Sequence, residues 1–205
     1  MSSTSRSAAP LVSLDQARPR RAERRALTVE RLTRAAVEEI RAQGYDGLTV
    51  RNVARRAGVA PATAYIHFSS KDHLVAEVFW RLLQALPPLD LGSTRGRPTE
   101  RVAAAIADIA QLVTDEPAIA AAATAAMLAN QPEVAQLRRR IGASFRERFV
   151  VALADEADDM VLDVLDLAFA GAFLRAGVGE LSYADLGPTM ALVAEVVLPG
   201  GEHRR

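Results

Sequence analysis

The sequence predicts an all-α fold in two parts: a small N-terminal unit built on a helix-turn-helix, and a larger helical C-terminal domain. Three observations lead there. Apolar residues recur at three- and four-residue spacing in segment after segment, and no stretch sustains the period-two alternation of a half-buried strand. Glycine, proline and Ser/Thr punctuate those segments where helix ends are expected. The net charge of zero divides unevenly. There are 13 basic and 7 acidic residues through Val75, and 12 and 18 after it, or +6 followed by −6. A basic front and an acidic back suggest that only the front meets a polyanion.

Met1 to about Arg20 is rich in Ser, Arg, Pro and Ala without a sustained period, and is expected to be a disordered basic arm (1–20). A first helix is expected from near Glu23, with Leu32, Ala36, Val37 and Ile40 on one face, stopped by Gly44. Thr49 stands where an N-cap belongs, ahead of a short helix from Val50 to Ala57. Gly58 ends that helix. Pro61 opens a third, to about His67, because its missing N–H would be unpaired there in any case. Ser70 caps a fourth, which runs to about Leu86 and closes at Pro87-Pro88. The loop from Leu89 to Pro98 marks a boundary between a domain at 21–88 and another at 89–205. Beyond it, Thr99, Pro117 and Pro132 are expected to begin helices, the second ending near Asn130. Two more follow, from Met160 to Val178 and from about Asp185 to Leu198.

Composition excludes several classes. There is no cysteine, hence no disulfide framework, thiolate metal site or cysteine nucleophile. No Gly-rich phosphate loop, GxSxG or HExxH occurs, and no histidine lies between His73 and His203. No enzyme, cofactor or metal site is expected. The longest nearly unbroken apolar run, Ala118 to Ala129, is far short of the ~20 residues of a membrane helix. No secretory signal is evident, so a cytoplasmic protein without a membrane partner is the expectation.

Two short helices joined at Gly58 form a helix-turn-helix, whose second helix can enter the major groove of DNA while the first lies across it. The run from Gly44 to Ala54 (GYDGLTVRNVA), and then from Ala57 to Asp72 (AGVAPATAYIHFSSKD), resembles the N-terminal domain of the tetracycline-repressor (TetR) family. The resemblance spans about Glu23 to Leu86. It implies a helix-turn-helix DNA-binding domain followed by a helical domain that binds an effector and dimerises. It also implies that Thr49, Arg51, Pro61, Ala62, Thr63, Tyr65, His67 and Lys71 contact DNA. In that scheme Arg51 and the Pro61–Thr63 turn face bases, and Tyr65, His67 and Lys71 face phosphates. Tyr65 has the alternative of packing under the first helix, and His67 of lying solvated. Arg18, Arg20, Arg21, Arg24 and Arg25 either reach a minor groove or form a solvated tail.

The Met160–Val178 segment is apolar nearly all round, as a helix buried on more than one side must be. With the last helix it resembles the family's dimer-forming pair, which makes Val164, Ala168, Gly171, Ala172, Met190, Val193 and Val197 the expected interface. A dimer would present two heads to a palindromic operator. Trp80, Ile106, Ile109, Val113, Met127, Phe145 and Phe149 are expected to wall a pocket for a small apolar effector, with Arg138 and Arg148 at its edge. Those two arginines have the alternative of snorkelling or pairing with carboxylates. The chain reads as a homodimeric regulator, a repressor released by that effector. A constitutive DNA-binding dimer is the alternative.

Overall fold

The computed structural model describes residues 14–89 and 96–198. Nine α-helices lie among them: α1 (Leu14–Gly47), α2 (Val50–Ala57), α3 (Pro61–His67), α4 (Lys71–Gln84), α5 (Pro98–Asp115), α6 (Pro117–Met127), α7 (Pro132–Leu153), α8 (Asp159–Gly177) and α9 (Leu186–Val197). No strand occurs among the described residues. None of their helices is long and apolar enough to cross a membrane.

Several boundaries differ from expectation. The first helix starts at Leu14, inside the span expected to be a disordered arm; residues 1–13 lie outside the described residues. Leu14-Asp15-Gln16-Ala17-Arg18 has good helix formers but no apolar face, so periodicity cannot register it. Gly44 breaks the same helix as expected, with φ 67° and ψ −175°. The cap of α5 is Arg97 rather than Thr99, with Pro98 in the first turn and the Glu100 carboxylate accepting the Arg97 N–H at 3.0 Å. The fourth helix ends at Gln84 rather than Leu86, and the sixth at Met127 rather than Asn130.

Two apolar cores hold the molecule. The front core joins α1–α4 through Leu32, Ile40, Val53, Ala64, Phe68 and Leu74. The back core joins α5–α9 through Ile106, Ile109, Phe149, Leu165, Phe169 and Met190. Neither stops at the loop that follows α4. Phe79 and Leu83, late in α4, belong to the back core, whereas Ile119, Ala122 and Ala126 of α6 belong to the front one. The other face of α6, Ala120 and Ala123, joins the back core. Alanine all round lets α6 press on both sides, and it is the wedge between the two units. A bidentate ion pair clamps the same junction, from Arg41 on α1 to Glu116 at the head of α6 (Nε to Oε2, 3.0 Å).

Candidate nucleic-acid interface and ligand cavity

The helix-turn-helix is built from local rules and then locked by α1. The Thr49 Oγ1 accepts the Asn52 N–H at 3.0 Å and closes the first turn of α2. Gly58 takes the left-handed conformation (φ 62°, ψ 36°), and the Val59 N–H returns to the Ala54 carbonyl at 2.9 Å. Arg31 of α1 donates to the carbonyls of both Ala57 and Gly58, fixing the turn that sets the angle between α2 and α3. Arg56 is tied to α1 as well, 2.6 Å from the buried carboxylate of Glu39 and 3.2 Å from Glu38. Part of the basic charge of this unit is thus structural. Arg31, Arg34, Arg41 and Arg56 are committed within the fold, while Arg51 and Arg55 have no acceptor among the described residues.

The eight expected contact residues lie from Thr49 to Lys71, on α2, α3 and the boundaries beside them. Thr49 and Arg51 are exposed at the start of α2, Pro61 and Ala62 are exposed at the start of α3, and Thr63 is half-buried beside them. Tyr65 is exposed rather than packed under α1. Lys71 opens α4, its ammonium 3.9 Å above the Tyr45 ring and donating to the Tyr45 carbonyl at 3.2 Å. The Tyr45 hydroxyl donates to Asp72, and burial with that bond raises its pKa. His67 is half-buried, and its Nδ1 has no hydrogen-bond partner. Burial, and then the neighbouring Arg25 charge, hold its pKa below the ordinary imidazole value. Sequence reasoning passed over Arg31 and Ile66. Arg31 sits on the exposed side of α1, which periodicity reads as solvent. Ile66 was passed over for want of a polar group.

A cavity of about 510 Å³ lies between the end of α6, α7 and α8, below Phe79 of α4. Of the residues expected to wall a pocket, Met127, Arg138 and Phe145 line it. The other expected walls do not. Ile106, Ile109, Val113 and Phe149 are buried in the closed back core, and Phe149 reaches no further than the back of Phe169, ring centroids 6.0 Å apart. Trp80 is half-buried under the Arg140 guanidinium at 4.6 Å. Arg148 ties α7 to α5 through the Ala105 carbonyl at 3.2 Å and Asp108 at 3.8 Å, the pairing that was its alternative role. The walls that sequence reasoning missed include Phe169 and Phe173, one turn apart on α8. They join Phe145 and Phe79 in a chain of tilted and edge-on rings, with centroids 4.8–6.1 Å apart. Polar groups sit at the rim. Arg146 is neutralised by Asp159, Asp163 and Asp166 of α8, Arg138 donates to the Ala129 carbonyl at 2.6 Å, and Arg139 has no acceptor among the described residues.

The expected dimer residues divide between two faces. Ala172 and Met190 are buried in the chain's own core, and Ala168, Val193 and Val197 pack against it. Only Val164 and Gly171 face outward. The outward stripe of α8 is Met160, Val164, Leu167, Gly171, Leu174 and Val178, alternating steps of four and three, with Leu167 75% exposed. Leu192 and Val196 continue it on α9. An all-round apolar helix has two faces, and its wheel alone does not say which one the same chain covers.

A family model described as bacterial regulatory proteins, tetR family, matches residues 32–78. The HTH-type transcriptional regulator Rv0767c of Mycobacterium tuberculosis is 38% identical over 179 residues, covering 86% of this chain and 83% of that one. The HTH-type transcriptional repressor KstR of Rhodococcus jostii is 26% identical over 165 residues, 78% of each chain. In fold, a TetR transcriptional regulator from Rhodococcus sp. RHA1 superposes with a TM-score of 0.69 at 20% identity, over 87% of this chain and 98% of that one.

Proposed function

The chain belongs to the TetR family and is a DNA-binding transcriptional regulator, and from that premise we propose a homodimeric repressor that leaves a palindromic operator when a small apolar effector enters the α6–α8 cavity. Contact residues are Thr49, Arg51, Pro61, Ala62, Thr63, Tyr65, His67 and Lys71. The stripes of α8 and α9 meet their two-fold copies. A repressor is the reading favoured by the relative whose name says so.

One observation carries the reading: the turn that ends the cavity wall also holds the DNA-facing end of α4. Met127 and Leu128 line the cavity, and Ala129 accepts the bond from Arg138, itself a wall residue. Two residues further, Gln131 accepts from the Ser70 hydroxyl and donates to Asp72 at 3.1 Å. Ser70 is the N-cap of α4, Asp72 lies in its first turn, and between them stands Lys71. Asp72 also accepts from Tyr45, on which the Lys71 ammonium rests. A ligand that displaces Met127 or Arg138 therefore pulls on the N-terminus of α4. A shift of a few Å there moves α3, and with it the spacing of two heads that must stand about 34–36 Å apart to enter successive major grooves. The apolar rings and neutralised Arg146 suit a ligand with an apolar body.

Selection from a random-sequence duplex library with the full-length protein tests the DNA side. We expect an inverted repeat with half-sites one helical turn apart. Enrichment of a single asymmetric site, or of none, would contradict the reading.

A further inference from the structure

The recognition helix carries an apolar group that the fold does not use. Ala64 is fully buried and fixes the inward face of α3. At 100° per residue, Ala62 and Ile66 stand opposite it, one turn apart. Ile66 is 75% exposed, more than Tyr65 beside it or Leu27 on α1. Among the described residues Leu167 is equally exposed and Met160 and Val196 nearly so, and these lie on the α8 and α9 stripes, far along the chain from α3. Among the described residues, none covers Ile66.

An aliphatic side chain has neither donor nor acceptor, so it cannot pair with the polar base edges. On the floor of the major groove the one apolar group is the C5-methyl of thymine. We propose that Ile66, with Ala62 a turn before it, reads thymine methyls and so sets base preference at one position of each half-site. The inference rests on α3 being the recognition helix. The phosphate-facing residues, Lys71 among them, hold the backbone while the apolar pair reads the methyl, a division between phosphate contacts that position and base contacts that specify. Burying one methyl against Ile66 predicts a preference of about fourfold per half-site, or about fifteenfold when both half-sites are changed together.

The test replaces each thymine of the selected duplex by deoxyuridine, which removes only the methyl, and measures the dissociation constants of wild-type protein and Ile66→Ala. At 75% exposure, Ile66 is not needed for folding. The expected result is one symmetry-related thymine pair at which deoxyuridine weakens the wild type about fifteenfold and leaves Ile66→Ala unchanged. If deoxyuridine weakens both proteins equally at every position, or neither anywhere, Ile66 does not read the methyl, and the DNA-binding reading stands without it. If the wild-type protein enriches no duplex at all, both fall together.

Discussion

Arg51 and Lys71 carry the same charge, but different things hold them. Arg51 projects from the first turn of α2 without a partner among the described residues, free to lie along a base edge. Lys71 is pinned by the Tyr45 ring and carbonyl at the start of α4, at the rim of the unit. Arg51→Ala should alter base preference at one position, costing about 1–3 kcal/mol against the preferred base. Lys71→Ala should weaken all duplexes alike and flatten the salt dependence by about one charge. Binding curves at several salt concentrations, on preferred and scrambled duplexes, separate the two. The reverse pattern would exchange their roles. Residues whose role is local were legible before the fold was known. Thr49 caps, Gly58 turns and Pro61 opens a helix because each answers to its immediate neighbours. Arg31, Glu39 and Arg56 were not legible, since their partners lie on another helix and charge spacing along the chain does not report them.

At the scale of the element, α8 shows what a helical wheel tells and what it leaves out. Its apolarity all round pointed to burial on two sides, and its Phe169–Phe173 face does pack on the chain's own core and cavity. The Leu167 face remains outside. Expected interface residues such as Met190 and Ala172 fell on the inner face, because a wheel orders residues around an axis without saying what stands opposite. Cavity walls were missed for the same reason: Ile109 and Phe145 are equally apolar in sequence, and only packing puts one in a closed core and the other against a space. The outward stripe gives a sharp test. Leu167→Glu or Gly171→Arg should yield monomer in analytical ultracentrifugation with the helical circular dichroism retained. Met190→Glu should instead unfold the back domain, since it buries a charge with no partner. A dimer surviving both outward substitutions would move the interface elsewhere.

The whole molecule is two cores that share their boundary elements. The second half of α4 serves the back core, one face of α6 serves the front, and the Arg41–Glu116 and Gln131–Ser70/Asp72 contacts cross between them. The expected domain boundary after α4 is not where the packing divides. Sequence therefore placed the helices well and left the joint unseen. Gln131 is one polar residue before a proline, and nothing along the chain links it to Ser70, 61 positions away. In the proposed function that joint links the cavity at α6–α8 to the start of α4, and such a coupling must be reciprocal, with typical factors of 5–150. The most direct test is the operator dissociation constant, measured with and without a compound shown crystallographically to fill the cavity, on wild type and on Gln131→Leu. We expect the compound to weaken wild-type binding by about tenfold or more and Gln131→Leu binding by markedly less. A compound that fills the cavity while the wild-type operator affinity stays the same would contradict the account.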